Sequence, residues 1–348
     1  MPSIDYTRGY SARFEIRPVD RNTWSSGDAI DGLVSASVEC DCTDEYPLMQ
    51  SGSAVITLPV EREWVDGYYR IEMVATQGSV KERTAIATLL MSCDESSMDK
   101  GSQTARASGY SVLKPASDRL MLTGTYAPKG CDGAAWVASL LSDAIAAPLE
   151  VDGSFTLDEH AVFGAGVSYL QAAWTILKAA GWCMQVSGDG SVSIKAKPSE
   201  ASFVLDENRH ALMPSADRSA DLSEVPNRYY AVEGDEVGIA VNDQDGSRTS
   251  VQARGRYVDV IDESPVKVNG ETMTAYARRK LEELSTVTRE YGYDREFVPG
   301  LSCYDLVAGT VPEWGMEGAF RIIKQSIACG KGVTVSEKVG QEIREYVA

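Results

Sequence analysis

The sequence predicts a mainly β fold with an α+β insertion between two strand-rich regions. The first and last thirds contain segments in which apolar and polar residues alternate, which is the period of half-buried strands. The middle third instead places apolar residues at helical spacing. A chain of 348 residues exceeds the usual size of one hydrophobic core. We therefore expect two or three domains, with borders near residues 115 and 200.

Residues 1–115 are predicted to form a first antiparallel barrel or sandwich. Turn-rich pieces such as TDEYPLMQSGS and DESSMDKGSQ separate its strands. Five segments carry the alternation, namely ARFEIRPV, LVSASVECDC, SAVITLPV, GYYRIEMVAT and RTAIATLLMSC.

Residues 116–200 are predicted to form a compact α+β module with two helices and a hairpin. The first helix, near 133–146, has Asp132 as a candidate cap and Pro148 as its stop. Its apolar side is expected to comprise Trp136, Leu140 and Ala144.

The second helix of the module, near 169–180, begins after Ser168, with Gln171 completing a capping box, and ends at Gly181. A hairpin over 182–196 follows, turning at GDG. Trp174 and Trp182 are expected in the core.

Residues 201–348 are predicted to form a second barrel crossed by one long helix near 273–291. A strand after residue 200 could instead complete the first barrel. The helix has an apolar face made of Met273, Tyr276, Leu281, Leu284, Val287 and Tyr291. Strands are expected in NRYYAVEGDEVGIAVND, RYVDVIDESP, CYDLVAG, GAFRIIKQSIA and GVTVSE. No residue-level repeat relates the first and last thirds.

The formal charge of −18 argues against nucleic-acid binding, which needs clustered Lys and Arg. It fits simple solubility, or a surface that faces a polyanion without binding it. No apolar run is long enough to span a bilayer, and the start of the sequence has no apolar core of a secretory signal. We therefore expect folding in a cytosol and no membrane insertion.

The cysteine pattern predicts reduced, partly buried thiols without a metal. No C-x-x-C pair occurs, and only His160 and His210 could add imidazole ligands. We therefore expect no zinc site and no cofactor. The seven cysteines are Cys40, Cys42, Cys93, Cys131, Cys183, Cys303 and Cys329.

The sequence does not match the known catalytic and binding motifs. A G-x-S-x-G elbow is absent, and GAGVSY has Tyr169 where a dinucleotide loop needs its third Gly. CGKG around Lys331 has Gly332 where Ser or Thr should hold magnesium. VNDQDGSRTSVQ lacks carboxylates at the first and twelfth positions of a calcium loop, Val241 and Gln252, so a hairpin turn is expected there.

One carboxylate-and-aromatic stretch keeps an enzymatic alternative open. VEREW contains Glu61, Glu63 and Trp64, which is suitable chemistry for a sugar cleft, and paired carboxylates hydrolyse glycosidic bonds. The two glutamates share a face only if the stretch is extended, and a solvated acidic turn explains them equally well. The sequence shows no defined active site, so we assign no catalytic, cofactor-binding or metal-binding residues and expect a protein that is not an enzyme.

Several pieces, in order along the chain, resemble the baseplate or tail hub proteins of tailed bacteriophages and related contractile injection machines. They begin with FEIRPVDRNTW, LVSASVECDCTDEYPLMQSGSAVITLP and YYRIEMVATQ. YLQAAWTILKAAGWCMQVSGDGSVSIKAKP resembles the helix-plus-hairpin insertion of these hubs. VPNRYYAVEGDE, AYARRKLEEL and LSCYDLVAGTVPEWGMEGAFRIIKQSIACGKG resemble their second barrel.

The resemblance implies two tail-tube-like barrels per chain and a homotrimeric ring with pseudo-six-fold outline. Such a ring joins a tail tube or distal tail protein above to a spike, fibre or tape-measure protein below. It is assembled in the host bacterial cytoplasm, is carried in the virion, and lets genome DNA pass without specific binding. The helix-plus-hairpin module would lie between the barrels, at the periphery or bracing neighbouring subunits.

The resemblance also bears on activity. Some hubs continue into a peptidase or lysozyme domain, whereas this sequence ends soon after the second barrel, so we expect no wall-degrading activity. The main alternative is a host-surface glycan-binding module of the tail tip that uses Trp64 or Trp314.

Overall fold

The computed structural model describes residues 4–6, 8–43, 47–59, 63–99, 101–158, 160–205, 216–219, 222–263, 271–330 and 332–347. Among the residues just given, strands account for 51% and helices for 14%, which confirms the mainly β prediction. The chain groups into two compact units, residues 1–215 with 293–338, and residues 216–292 with 339–348. The predicted domains 1–115, 116–200 and 201–348 stay a prediction.

The bounds of the elements are as follows. The strands before residue 216 are β1 (Ser11–Val19), β2 (Leu33–Asp41), β3 (Gln50–Pro59), β4 (Gly67–Gln77), β5 (Val80–Asp99), β6 (Ser102–Ser111), β7 (Thr125–Ala127), β8 (Leu149–Asp152), β9 (Ala161–Phe163), β10 (Trp182–Val186), β11 (Val192–Ala196) and β12 (Phe203–Leu205). The later strands are β13 (Ala216–Ser219), β14 (Arg228–Glu233), β15 (Glu236–Val241), β16 (Asp259–Asp262), β17 (Thr286–Glu296), β18 (Leu306–Val311), β19 (Met316–Gly330) and β20 (Gly332–Arg344). The helices are α1 (Lys114–Asp118), α2 (Gly133–Ser142), α3 (Tyr169–Ala179), α4 (Val251–Arg254) and α5 (Met273–Leu284).

The first unit is built on a large sheet that curls into a half-barrel. Its strands follow the order β1-β4-β5-β6-β3-β2-β19-β20-β17, and β18 and β12 extend it from β19. Alternation places Ile16, Val38, Ile56, Ile71 and Leu89 on the buried face. β19 pairs antiparallel with β2, matching Ile327 to Val38, so strands from the two ends of the sequence share one core.

The second predicted helix and the hairpin after it are present at the expected residues. Ser168 caps α3 by accepting a hydrogen bond from the Gln171 backbone N–H, and Gly181 ends the helix with a φ of +71°. Buried Leu170, Ala173, Trp174 and Leu177 line its inner face, as the spacing predicted. β10 and β11 form the antiparallel hairpin, and β8 joins β11 in parallel.

The first helix of the module differs from the prediction in length and face. Asp132 caps α2 as expected, accepting from the backbone N–H groups of Ala134 and Ala135. The helix ends at Ser142 instead of near 146. Its buried face comprises Ala134, Val137 and Leu141, and Trp136 and Leu140 are only half-buried. Small residues flank the apolar stripe of α2 on both sides. The spacing of apolar residues therefore did not determine which face of this helix is buried.

The second unit packs α5 against one face of a three-stranded sheet in the order β15-β14-β16. β14 pairs antiparallel with β15 and parallel with β16. The core comprises Tyr229, Ala231 and Ala240 from the sheet and Tyr276 and Leu281 from the helix. Gly238 lets the helix approach, since a Cβ there would lie 2.2 Å from the carbonyl oxygen of Met273.

The prediction that the long helix reaches residue 291 is wrong. α5 ends at Leu284, and β17 begins at Thr286. The backbone changes where Ser285, Thr286, Val287 and Thr288 follow one another, because β-branched side chains lose rotamer freedom in a helix and favour strands. The apolar residues beyond 284 lie on a strand.

Two further expectations from turn-rich sequence are also wrong. DESSMDKGSQ was expected to separate elements, but β5 continues to Asp99 and a sixth strand, β6, returns from Ser102. Polar residues along these strands belong to an exposed end of the hairpin. The loop after Val241 is not a hairpin turn, since it connects β15 to α4, whose residues include Gln252.

Candidate functional site

The residues singled out as possible catalytic groups do not form an active site in the described part of the chain. The His160 Nδ1 accepts a hydrogen bond from the Lys129 backbone N–H, and its ring contacts Tyr126, which is a structural role. Glu61, His210 and Lys331 lie outside the described residues. Within the described ranges, no group of three His, Cys, Asp or Glu side chains is placed to hold a metal ion. No described helix is long and apolar enough to cross a membrane.

The predicted aromatic-and-carboxylate stretch borders a surface pocket of about 350 Å³. Glu63, Trp64, Asp66 and Tyr68 line it. The Trp64 ring stacks on Tyr69 with 4.3 Å between centroids, so this aromatic face is already covered. The Trp64 indole N–H is buried without a hydrogen-bond partner in the described structure.

Trp314, the other predicted glycan platform, is also partly covered. Its ring stacks on Tyr293 with 5.8 Å between centroids. Both tryptophans therefore contribute to packing of the first unit.

In the first unit, a set of hydrogen bonds holds the β10–β11 hairpin on the large sheet. At the hairpin turn, the carbonyl oxygen of Asp189 accepts from the Trp24 indole at 2.9 Å and from the Arg70 guanidinium at 2.8 Å. The carbonyl oxygen of Gly188 accepts from the Thr88 hydroxyl at 3.0 Å. Three side chains from three separate segments thus converge on one two-residue tip.

A second set of contacts secures the strands of the hairpin. Gln50 on β3 donates to the carbonyl oxygen of Val186 at 3.0 Å. The Gln185 side-chain amide donates to the Ser302 hydroxyl and the Asp305 carboxylate, at 2.6 and 3.0 Å. We name this whole set of contacts the hairpin clamp.

Two glycines permit the tip to approach the sheet. A Cβ on Gly188 would lie 2.0 Å from the carbonyl oxygen of Ala85, which no real side chain tolerates. Gly190 has a φ of +82°, and its Cβ would lie 2.8 Å from the Thr88 side chain. The GDG sequence is therefore required for the turn and for close contact with β5.

The carboxylate of Asp189 stabilises the turn internally. Its Oδ1 accepts from the Ser191 hydroxyl at 2.7 Å and from the Ser191 backbone N–H at 3.0 Å. Burial by itself raises the pKa of this carboxyl, but hydrogen bonds from Ser187 and Ser191 outweigh it and leave the pKa below its ordinary value. The turn is thus organised around an ionised aspartate.

A cavity of about 530 Å³ lies beside the clamp. Its wall includes Gln50, Gln185, Lys195, Phe297, Ser302 and Gln325. The Gln50 Oε1 is buried without a partner in the described structure. A cavity of this size has room for a water, which is the usual partner of such a buried polar atom.

The core of the first unit contains a buried ion pair. Arg295 on β17 donates to Glu337 on β20 at 2.8 and 2.9 Å, and both side chains are 1% exposed. Tyr293 and Gln325 also donate to this carboxylate, at 2.6 and 2.7 Å. Burial raises the pKa of Glu337, but the hydrogen bond and charge of Arg295 outweigh it, and the net pKa is lowered.

A second charged network covers the face of β1 and β4. Glu15 and Glu72 lie directly opposite each other in the strand register, a repulsive arrangement for two carboxylates. Arg17 and Arg83 each contact both of them, and Arg13 contacts Glu15 at 2.7 Å. The hydrogen bond from Arg17 is the main reason that the pKa of Glu15 is lowered.

The second unit presents an apolar sheet face on the side opposite α5. The strand register aligns Ile239, Tyr230 and Ile261 in one row across the three strands. Ile239 and Ile261 are 46% and 63% exposed, and Val237 and Tyr257 are also exposed. We name these five residues the outer sheet face. Rows of large exposed apolar residues are typical of interaction surfaces.

Beside this row, Arg228 and Asp259 neutralise each other. Arg228 makes two 2.7 Å hydrogen bonds to Asp259, and its guanidinium lies 3.7 Å from the centre of the Tyr257 ring. An interface that covers this pair would bury two charges that already compensate each other.

Comparison with known proteins identifies the fold. No family model and no curated protein matches the sequence. Among solved structures, a tail protein from Neisseria meningitidis MC58 superposes with a TM-score of 0.63 at 13% identity, covering 96% of this chain and 97% of that one. The 43 kDa tail protein of prophage MuSo2 from Shewanella oneidensis gives 0.60 at 11% identity, covering 95% and 98%.

A chain of a further solved complex has a similar fold. A chain of the Francisella PdpA–VgrG complex gives a TM-score of 0.58 at 8% identity, covering 98% of this chain and 60% of that one. The chain therefore has the fold of phage tail proteins. The resemblance read from the sequence is confirmed at the level of fold.

Sequence reasoning missed the hairpin clamp because its partners are far apart along the chain. Trp24 and Asp189 are separated by 165 positions, and Thr88 and Gly188 by 100. The GDG turn was visible, but nothing local indicated that Gly188 contacts another strand. The buried Arg295–Glu337 pair was missed for the same reason.

Proposed function

We propose that the protein is a non-enzymatic structural hub of a phage tail or baseplate. Three copies would form a ring with pseudo-six-fold outline that joins the tail tube or distal tail protein to the spike, fibre or tape-measure protein. The observation that carries the proposal is the shared fold, which extends over 96% of this chain and 97% of the Neisseria tail protein. The ring would be assembled in the host cytoplasm and carried in the virion.

The hairpin clamp of the first unit supports a structural role. The hairpin clamp joins the module to the large sheet through hydrogen bonds from Trp24, Arg70, Thr88 and Gln50. A module fixed in this way would move together with its sheet. The sequence analysis placed the module at the periphery or against neighbouring subunits, and this placement stays a proposal.

The outer sheet face supports contact between copies or with a neighbouring tail protein. Chains with a formal charge of −18 repel one another over most of their surface. A row of exposed apolar residues beside a neutralised Arg228–Asp259 pair offers a surface that can lose water at low electrostatic cost. The remaining acidity would suit a channel that genome DNA crosses without adsorbing.

Substitution of the outer sheet face tests the assembly proposal. Ile239→Asp with Ile261→Asp should abolish higher-mass species in light scattering, because two charges would have to be buried at the interface. Val204→Asp is the matched control, since Val204 is 67% exposed on β12, outside this face. Undiminished assembly of the double variant would exclude the face as the contact.

Glycan recognition at the tail tip is the second candidate function. The observation that favours it is the pocket of about 350 Å³ lined by Glu63, Trp64, Asp66 and Tyr68, with the unpartnered indole N–H of Trp64 buried beside it. Carboxylates and aromatic rings together bind sugars through hydroxyl hydrogen bonds and ring packing. Cleavage by Glu61 and Glu63 is the less favoured form of this candidate.

A glycan array with the purified protein distinguishes the two functions. Retention of one glycan class that is lost in Asp66→Asn and Glu63→Gln, together with a monomeric mass, would favour glycan recognition. Release of reducing sugar that depends on Glu63 would indicate hydrolysis. Ring assembly without retention would favour the structural hub.

A further inference from the structure

The cavity of about 530 Å³ beside the hairpin clamp lies between two sheets of the first unit. Gln185, Ser193 and Lys195 line it from the β10–β11 hairpin. The opposite wall belongs to the large sheet and includes Gln50 on β3 and Gln325 on β19. Small-molecule sites in proteins have volumes of about 300 to 1,000 Å³, and this cavity falls within that range.

Gln50 presents an unused hydrogen-bond acceptor at this cavity. The residue is only 4% exposed. Its side-chain nitrogen donates to the Val186 carbonyl oxygen at 3.0 Å, and this bond fixes the orientation of the amide. The Oε1 of the same amide is buried and has no partner in the described structure. A guest with an O–H or N–H group would satisfy this oxygen, which otherwise has lost its hydration for no return.

Strained backbone adjoins two residues of the cavity wall. In the part of the chain that the structure describes, the non-glycine residues with positive φ are Trp24, Met49 and Tyr304. Met49, with a φ of +65°, precedes Gln50, and Tyr304, with a φ of +73°, precedes Asp305, which also lines the cavity. Such conformations cost free energy and are concentrated at binding sites, where the surrounding structure holds them in place.

The wall combines hydrogen-bonding groups with apolar surface. Ser193 and Ser302 contribute hydroxyl groups, and the glutamines contribute amides. Phe297 and Ile327, both buried, contribute an apolar part of the same wall. A saccharide matches this combination, because its hydroxyl groups both donate and accept while the carbon face of its ring packs on apolar side chains.

The charges of the wall favour a neutral guest. Lys195 and Glu150 bring one positive and one negative charge. Asp305 adds a second carboxylate, which already accepts from the Gln185 amide at 3.0 Å and from the Ser302 backbone N–H at 2.9 Å. An anionic guest would therefore meet more negative than positive charge.

We propose that this cavity binds a neutral saccharide of one or two rings, which donates a hydrogen bond to the Oε1 of Gln50. The site shares no lining residue with the pocket at Trp64. The proposal is independent of the hub function, because every residue that carries it belongs to the first unit of a single chain.

Calorimetric titration of the purified full chain with N-acetylglucosamine and its β-1,4-linked disaccharide tests the proposal. Both sugars are uncharged and carry hydroxyl and amide donors. At least one should bind saturably with a Kd of about 1 mM or below. Glucuronic acid, which is anionic, should bind about tenfold more weakly or not at all. The absence of saturable binding of both neutral sugars would overturn the proposal, and tighter binding of glucuronic acid would overturn the neutral class.

Variants on the two walls assign the binding to this cavity. Gln50→Met removes the acceptor at similar size and should raise the Kd about tenfold or more. Ser193→Leu reduces the cavity from the hairpin side and leaves the Gln50–Val186 hydrogen bond in place, so it should also weaken binding even if Gln50→Met fails to fold. Circular dichroism checks the folding of each variant.

Glu63→Gln is the matched control, since Glu63 lines the pocket at Trp64. The control should bind the sugar as tightly as the wild type. Wild-type affinity in folded Gln50→Met and Ser193→Leu would overturn the proposal. Loss of binding in Glu63→Gln alone would assign the sugar to the pocket at Trp64 and would equally overturn it.

Discussion

Single residues decide whether the hairpin can contact the large sheet, and Gly188 is the most demanding of them. A side chain at 188 has no room beside the Ala85 carbonyl, which belongs to the backbone of β5 and cannot move aside cheaply. A turn position that accepts only glycine for steric reasons marks a close approach of two backbones. The hairpin clamp therefore depends on the absence of a Cβ atom at position 188.

Gly188→Ala should lower the free energy of unfolding by about 2 kcal/mol, the usual cost of overpacking. Gly164→Ala is the control, because nothing lies within 4 Å of a Cβ at Gly164 and its φ is not positive. The control should change stability by less than about 0.5 kcal/mol. Urea unfolding of both variants makes the comparison, and equal stability would contradict the close approach.

Glu337 should make the first unit sensitive to acid. Its folded-state pKa is below the ordinary value of 4.5, so its ion pair contributes stability above about pH 4.5 and loses it as the pH falls through the folded pKa. Glu337→Gln leaves Arg295 buried without its counter-charge, and should cost about 3 kcal/mol at neutral pH. The variant should also show a shallower loss of stability below about pH 4.5.

Urea titrations at several pH values, followed by tryptophan fluorescence, measure both effects. Trp314 is a suitable reporter, because its ring stacks on Tyr293, which donates to Glu337. Arg344→Ala is the control, since it removes an ion pair whose Arg344 side chain is 67% exposed. If Glu337→Gln and the control behave alike, the buried pair has no special role.

At the scale of elements, we expect local unfolding of the β10–β11 hairpin to be coupled to that of the large sheet. Thr88 is fully buried, and its hydroxyl donates to Gly188 while accepting from Arg70 at 3.1 Å. Thr88→Val keeps the shape and removes both hydrogen bonds. Amides of β10 and β11 should then exchange with deuterium about thirtyfold faster, because each of the two lost hydrogen bonds contributes about 1 kcal/mol.

Ser142→Ala is the matched control for this measurement. Its hydroxyl donates to the Ser139 carbonyl oxygen at 2.9 Å on an exposed part of α2. Exchange in β10 and β11 should be unchanged in the control. Exchange as slow in Thr88→Val as in the wild type would show that the hairpin is held by its own module alone.

Local sequence signals predicted the elements well where they carried capping and turn chemistry. Ser168, Gly181 and the GDG turn predicted α3 and its hairpin, because each acts within a few residues of its own position. The end of α5 was misjudged, because apolar residues at 287 and 291 continue a helical spacing while lying on a strand. β6 was missed, since its exposed end is too polar to show clear alternation.

The sequence could not predict which distant segments meet. The Arg295–Glu337 pair joins strands separated by 42 positions, and β2 pairs with β19 near the other end of the chain. Neither pairing has a local signature. The candidate pocket at Trp64 was indicated by composition, but the stacking of Trp64 on Tyr69 depends on the strand geometry.

At the scale of the whole molecule, assembly of copies should depend on salt. Each chain carries a formal charge of −18, so bringing copies together raises electrostatic repulsion. Salt screens exposed charges beyond about 10 Å at 0.1 M, while contacts between apolar faces are not weakened by screening. The assembled fraction should therefore rise as sodium chloride is increased from about 0.05 to about 0.5 M.

Sedimentation at several salt concentrations checks this expectation. The Ile239→Asp, Ile261→Asp variant is the control, and its sedimentation should not respond to salt. A fall in the assembled fraction with added salt would show that ion pairs, and not apolar contacts, hold the copies together.

Electron microscopy of the purified protein at high concentration, with light-scattering mass on the same sample, tests the central claim most directly. The structural hub predicts rings with an outline that looks six-fold and a mass three times the 37.6 kDa of one chain. Monomers that retain a glycan and form no rings, even when mixed with a tail-tube protein, would contradict it.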